Sequence, residues 1–589
     1  MSNFNLVFDI EADGLEPTQI FCIVAQDVDT LDVFTFDNTQ LAEGYAMLQS
    51  ATKLIGHNII GYDIPSIKKI TGIDLFDKKI VDTLVLSRLF NPTREGNHGL
   101  ESWGYRLGHK KGNYGDSDAA WEAYSPEMLE YCKNDVLLNT KVFQHLKLES
   151  RGFTPLSVQI EHGVAKIVDQ QRTNGFLLDQ RKAMELVAQF QERLQAVKEK
   201  VQEVFTPVSE IQILKPKYTK TMSLAKTAVD QHGNGVRLTE KEYLQMVVAN
   251  KPIQRTTYTE FNLGSRKQIG EYLIRFGWKP TVYTPTGQPI VDESILSRVK
   301  NIPEAALIAE YLMLQKRLAQ VNSWLKELKD DGRVHGYVNP NGAVTGRMTH
   351  SHPNMAQIPS SNSPYGSECR SCWTVPAGRK LVGIDASGLE LRMLAHYLND
   401  GDYTNEILNG DIHTANQKLA GLESRNQAKT FIYALLYGAG DAKLGSVANK
   451  GRAAGKGLRE RFFANLPSFK SLTGRVQTEA KGGFVKALDG RKLTVRSEHS
   501  ALNTLLQGAG AIVMKKALII FDGYIKERNL DAIFVANVHD EWQLDCAQEH
   551  AELVGRVGVE AIIQAGRDLN LNCPLDGDYN VGNNWSETH

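Results

Sequence analysis

The sequence predicts a multidomain protein of mixed α/β and α+β class. Three observations carry that reading. A chain of 589 residues is longer than a single hydrophobic core organises. Strand-like and helical runs alternate over residues 1–150. Beyond residue 150, long helical patterns are broken by only a few strand-like runs. Hydrophobic content of 42% and charged content of 23% belong to an ordinary globular chain. The formal net charge of -1 provides no global positive field, but acidic sites can offset basic grooves, so a nucleic-acid partner stays open.

In chain order, "NLVFDIEA", "IFCIVAQDV" and "TKLIGHNI" read as strands of the first domain. Ser125 and Pro126 read as N-cap and first residue of a helix. A long helical pattern in "AMELVAQFQERLQAVKEKVQEVF" precedes a basic, Pro-interrupted segment with Lys215, Lys217, Lys220 and Lys226. Residues 302–328 are again helical. The stretch 335–366, rich in Gly, Pro, Asn and Ser, reads as a long loop, of a length that is usually either functional or disordered. A strand ("KLVGID"), a mainly helical block from 388 to about 480, and a strand pair near 533–546 follow. The N-terminus lacks the basic and apolar regions of a signal peptide, and Lys515 and Lys516 interrupt "GAIVMKKALIIF". The expectation is a cytoplasmic protein without a membrane span. Six scattered cysteines suit a reducing compartment. Cys369 and Cys372 form a lone CxxC with no second ligand pair nearby.

Carboxylates are the candidate chemistry. Asp9 and Glu11 stand two apart on a strand and share a face, where they repel unless a cation neutralises them. Asp63 follows in "HNIIGYD", and Tyr131 and Asp135 share a helix face at i, i+4. Much later, Asp385 ends an apolar strand beside the carbonyl of Ala386, and Asp540 sits between two strands. In "RNQAKTFIYALLYGAG", Arg425, Lys429, Tyr433 and Tyr437 recur every four residues. At about 3.6 residues per turn they form one stripe, with Gly438 as a stop. Cations followed by flat rings suit phosphates, then a sugar and base. Carboxylates, a cation-bearing helix and an Asn/Gly loop are the parts of a metal-assisted phosphoryl-transfer site.

The ordered set D-x-E, H-N-x-x-x-Y-D and Y-x-x-x-D, over residues 1–145, resembles the proofreading 3'→5' exonuclease domains of ribonuclease-H-like type. That resemblance implies that Asp9, Glu11, Asp63 and Asp135 hold two divalent metals and that Tyr131 orients the attacking water. "GAVTGRMTHSHPNMAQIP", "IDASGLELR", "NGDIHT", "AKTFIYALLYGAGD", "LDGRKLTVRS", "ALNTLLQGAGA" and "VHDE" resemble the motifs of family A (polymerase I-type) DNA polymerases. Within that family the likeness is greatest to the replicative enzymes of T-seven-type bacteriophages. It implies a right hand of thumb, palm and fingers: exonuclease over 1–150, thumb and connecting helices 151–330, palm 331–392 and 503–589, fingers 393–502.

By the same resemblance, Asp385, Asp540 and the Ala386 carbonyl hold two Mg2+ ions, as does the exonuclease site, with Mn2+ able to substitute. His413, Arg425 and Lys429 clamp the phosphates of a dNTP, and Tyr433 and Tyr437 face its sugar and base. Glu390 closes off the space of a ribose 2'-hydroxyl. Tyr433 stands where many relatives carry phenylalanine, which implies ready use of dideoxynucleotides. Arg347, Asn503 and Gln507 contact the primer-template minor groove, and Lys215, Lys217 and Lys220 its phosphates. Lys450, Arg452, Lys456 and Arg459 are equally a solvated surface or a template contact. Partners implied are primer-template DNA, a helicase-primase and, through residues 206–260, a processivity factor such as host thioredoxin. Competing readings are a single-subunit RNA polymerase and a catalytically silent DNA-binding descendant.

Overall fold

The apolar run Asn5–Ala12 (β1) lies at the centre of a five-stranded mixed sheet. Ile20–Asp27 (β2) and Val33–Phe36 (β3) continue it antiparallel on one side; Lys53–Gly56 (β4) and Lys79–Asp82 (β5) run parallel on the other, in the order β3-β2-β1-β4-β5. Alternation along β1 decides what each face meets. Leu6, Phe8 and Ile10 pack with Ile64 and Ile67 of helix α1 (Asp63–Thr71). Val7 faces Met128, Cys132 and Val136 of helix α2 (Pro126–Glu149), whose N-cap is Ser125 with Pro126 in the first turn. The computed structural model describes residues 4–112, 114 and 118–589.

Two compact units make up the chain: residues 1–180 with 326–589, and residues 181–325. Helix α3 (Pro155–Asn174) therefore packs with the larger unit, where Ile160, Val164, Ile167 and Val168 enter its main core. That core lies under a four-stranded antiparallel sheet built from Arg379–Ala386 (β6), Ala532–Val538 (β7), Glu541–Ala547 (β8) and Gly577–Gly582 (β9), in the order β7-β8-β6-β9. Helices from Leu389–Leu398 (α4) to Pro467–Ala480 form the predicted helical block, and Ala501–Glu527 (α5) is the long central helix. The stretch Glu498–Glu527 is long and apolar enough to cross a membrane, but 72% of its most apolar window is buried inside the protein. Lys515, which interrupts the apolar run of this helix, is buried and its Nζ lies 2.6 Å from Glu161 Oε1 of α3.

The predicted loop 335–366 contains a hairpin, Tyr337–Asn339 paired with Thr349–Ser351, and a helical turn at Met355–Gln357. Asn341, Gly342 and Gly346 lie in the turn between the two short strands, and Gly346 adopts φ +75° there.

In the smaller unit, two 25-residue helices, Gln180–Val204 and Pro303–Glu327, are joined by an ion pair, Arg193 Nε to Glu310 Oε1 at 2.6 Å. Between them lies a sheet of Val208–Leu214 and Ile253–Thr259 that buries Leu214 and Ile253 against Ala228, Leu238 and Met246.

Candidate active sites

β6 ends at the residues that matter. Asp385 pairs across the sheet with Glu541, and the Ala386 N–H donates to the Asp540 carbonyl at 3.1 Å. Asp540 occupies the two-residue turn between β7 and β8, whose first residue, His539, takes φ +57°. A hairpin this tight demands such backbone, and it presents Asp540 at the strand ends beside Asp385. Burial, then the neighbouring Asp540 and Glu541, pushes the Asp385 carboxyl up to about 7. Acids crowded without a neutralising cation shift this way. Two carboxylates and adjacent backbone oxygens at a half-open edge fit a hard divalent ion. Burial would also raise Glu541, yet its bond from His589 Nδ1, 2.8 Å from Glu541 Oε2, and nearby Arg370 hold it below the ordinary value. Arg347, Glu390, Asn537, His539 and Lys515 line the same cavity as Asp540.

The cation-bearing stripe forms helix Arg425–Leu436, capped by Ser424. Phe431, Ile432, Leu435 and Leu436 are buried, whereas Arg425 and Lys429 are exposed and Tyr437 is 49% exposed. Gly438 ends the helix at φ +75°, where an added Cβ would come 2.5 Å from the His499 carbonyl. Tyr433 and Tyr437 stack with centroids 6.5 Å apart, and His413 lies 6.4 Å from Tyr433. Burial, then Arg425 and Lys429, holds the His413 imidazole below its ordinary value and so neutral. Arg425 Nε donates to Asp411 Oδ2 at 2.6 Å. The Tyr437 hydroxyl donates to Glu390 at 3.1 Å, which ties the stripe to the helix that follows Asp385.

At the N-terminal sheet, Asp9 and Glu11 share the β1 face turned toward α2, the helix carrying Tyr131 and Asp135. Ligand atoms of Asp9, Glu11 and Cys132 lie within 4.8 Å of one another. Asp63, at the start of α1, accepts from the Ile10 N–H at 3.2 Å. Burial, then Asp63, Glu11 and Asp135, pushes Asp9 well up; Glu11 is raised mainly by burial, and burial puts Asp63 at about 7. The four acids thus converge on one cage whose mutual repulsion suits bound cations. Burial likewise raises the Cys132 thiol, leaving it protonated, and its S–H donates to the Asp9 carbonyl at 3.5 Å. The oxygens, rather than that sulfur, match a hard ion.

Asn503 and Gln507 lie four apart on α5, half-buried, on the helix that also supplies Lys515 to the cavity. Lys215, Lys217 and Lys220 are exposed on the smaller unit. In the second basic run, Lys450 pairs with Glu423 at 3.0 Å, Lys456 with Glu460 at 3.7 Å and Arg459 with Asp441 at 2.7 Å, which favours a charge-compensated surface. Cys369 and Cys372 are buried, at 0% and 1% exposure. Sequence reasoning missed Lys111, which touches Asp135, and the pairing of Arg425 with Asp411. A lysine beside Lys110 in a polar stretch carries no signal, whereas Asp411 is legible as the N-cap of Ile412–Ala420.

The description "DNA polymerase family A" matches residues 236–587. The chain is 34% identical to the DNA-directed DNA polymerases of Escherichia phage T7 and Enterobacteria phage T3, over 99% of its own length and all of theirs. Those alignments span 707 positions, so more than a hundred have no counterpart here. It is 26% identical to DNA polymerase I of Aquifex aeolicus, over 94% of this chain and 92% of that one. A solved structure titled "POL domain of Pol1 from M. smegmatis complex with DNA primer-template and dNTP" shares the fold with a TM-score of 0.78 at 18% identity, covering 100% of this chain and 96% of that one. With its motifs in the family's order and the family match over more than half its length, the chain belongs to DNA polymerase family A, the DNA-directed DNA polymerases.

Proposed function

We propose that this polymerase extends primer 3' ends by two-metal phosphoryl transfer at the Asp385/Asp540 centre and trims them 3'→5' at the Asp9/Glu11/Asp63/Asp135 centre. One observation carries the reading: carboxylates from remote segments converge at each centre, and beside Asp385 the Ala386 N–H donates to the Asp540 carbonyl. Asp385, Asp540 and the Ala386 carbonyl would hold Mg2+, two ions per centre, with Mn2+ substituting. Bound there, such ions activate the attacking oxygen and neutralise the leaving one.

The remaining roles belong to side chains. Arg425 exchanges Asp411 for a triphosphate oxygen, an exchange made easy because the pair is exposed to solvent. Lys429 and neutral His413 complete the clamp, which positions the in-line attack. Glu390, held by Tyr437, occupies the space of a ribose 2'-hydroxyl, and the Tyr433 hydroxyl stands in for a missing 3'-hydroxyl. Arg347, Asn503 and Gln507 donate to minor-groove acceptors, which every correct pair presents. Lys215, Lys217 and Lys220 bind backbone phosphates. At the trimming centre Tyr131 orients the water. The enzyme replicates a phage genome in the host cytoplasm alongside a helicase-primase.

A thioredoxin-type processivity factor docks on residues 206–260, where Ile211, Ile213 and Tyr258 share one exposed sheet face. Unchanged product length on adding thioredoxin removes that partner. For the main reading, a primer-template is incubated with Mg2+, with and without dNTPs. Wild type extends with dNTPs and trims without them; Asp385→Ala trims but does not extend. Extension by Asp385→Ala overturns the assignment.

A further inference from the structure

Lys111 lies in none of the motifs, yet its ammonium is built into the N-terminal acidic cage. Nζ is 2.8 Å from Asp135 Oδ2 and 5.1 Å from the centre of the Tyr131 ring, on a side chain that is 26% exposed. Asp135 is only 3% exposed, and its other oxygen, Oδ1, is buried with no hydrogen-bond partner among the described residues. Asp9 and Glu11 present their ligand oxygens within 4.8 Å of each other in the same cage. The lysine thus occupies one oxygen of Asp135 and leaves the other open.

Resting on the reading of this cage as a two-metal exonuclease centre, we propose that Lys111 is a positioning residue acting as an internal counter-ion that competes with divalent metal for Asp135. Two consequences follow from charge alone. Without metal, the ammonium offsets the repulsion among Asp9, Glu11, Asp63 and Asp135 and stabilises the folded cage. With metal, the same positive charge opposes the incoming ion and occupies Asp135 Oδ2, so binding is weaker than the four acids alone would give. His109 is the other basic side chain acting on Asp135, and it bonds to Asn134 and Lys141 rather than to the acids. An ammonium on a flexible stem gives up its partner without backbone movement, so the competition is reversible.

The test uses the full chain with Asp385→Asn and Asp540→Asn, which removes the polymerase centre's ligands. Mn2+ binding is followed by the EPR signal of the free ion, and melting is measured in EDTA. Lys111→Met is expected to bind Mn2+ roughly tenfold more tightly, the scale on which one neighbouring charge shifts a carboxylate's affinity for protons. It is also expected to melt at lower temperature in EDTA and to gain more on Mn2+ addition, while Lys111→Arg stays near its parent on both readouts. Lys111→Gln repeats the measurement should the Met variant fail to fold. Unchanged or weaker Mn2+ binding in the neutral variants overturns the counter-ion role. Asp9→Asn with Glu11→Gln is the control for the underlying reading: full retention of Mn2+ binding there overturns the exonuclease centre itself, whatever Lys111 does.

Discussion

Asp385 reaches the mouth of the site because it is the penultimate residue of an interior strand, and single side chains of this kind set the sharpest expectations. Asp385→Asn keeps the volume and removes the charge. It is expected to lower the rate of primer extension by on the order of 10^3-fold while trimming proceeds, as read on a labelled primer. Tyr433→Phe removes one hydroxyl from the half-buried ring of the stripe. It is expected to raise discrimination against dideoxynucleotides by roughly tenfold, the worth of one hydrogen bond, in a competition between dNTP and ddNTP. Equal ddNTP use by both proteins sinks the assigned role of that hydroxyl. Asp9, Glu11 and the four-residue stripe were legible as shared faces from spacing alone. Lys111 was not, because its role depends on a through-space partner in another segment.

Between elements, two contacts decide the energetics. The helices Asp441–Val447 and Arg452–Asn465 approach so closely at Gly455 that an added Cβ would lie 1.9 Å from the Asp441 carbonyl. Gly455→Ala is expected to destabilise the larger unit by about 1–3 kcal/mol, the usual range for overpacking, measured by denaturant unfolding. The second is the buried cluster of Glu161, Asp489, Arg491 and Lys515, which joins α3, a turn after the helical block and α5. Lys515→Met removes a charge facing buried Glu161 and is expected to cost about 3–5 kcal/mol; adding Glu161→Gln should recover part of it. The double variant being no more stable than the single would contradict this. Periodicity made the helices legible. It could not make this cluster legible: Lys515 reads from sequence as an interruption of an apolar run, and only α3 packing against α5 supplies its acid.

Taken whole, the molecule carries carboxyls at both centres that are pushed upward, Asp385 to about 7 by burial and then by Asp540 and Glu541, and Asp63 to about 7 by burial. The folded, metal-free state therefore binds more protons than the unfolded chain between the ordinary Asp range and about pH 7. Stability falls as pH rises through that window, because the unfolded state binds fewer protons there. Melting temperature in EDTA is expected to drop between about pH 5 and pH 7.5, and Mg2+ should restore more of it at pH 7.5 than at pH 5, since metal and protons compete for the same oxygens. A flat profile in EDTA would contradict the burial of these acids, together with the crowding at Asp385.

By itself the sequence determined the strands at 5–12 and 20–27, the helix that begins after Ser125, the 425–436 stripe with its glycine stop and the order of the motifs. Each of these is a local consequence of periodicity, capping and turn chemistry. Only the tertiary structure decided by which register Asp385 meets the turn of Asp540, that Arg425 rests on Asp411, that residues 151–180 pack with the larger unit and that Lys111 enters the acidic cage. Those meetings depend on sheet register and on the packing of segments remote in sequence, which no local pattern encodes.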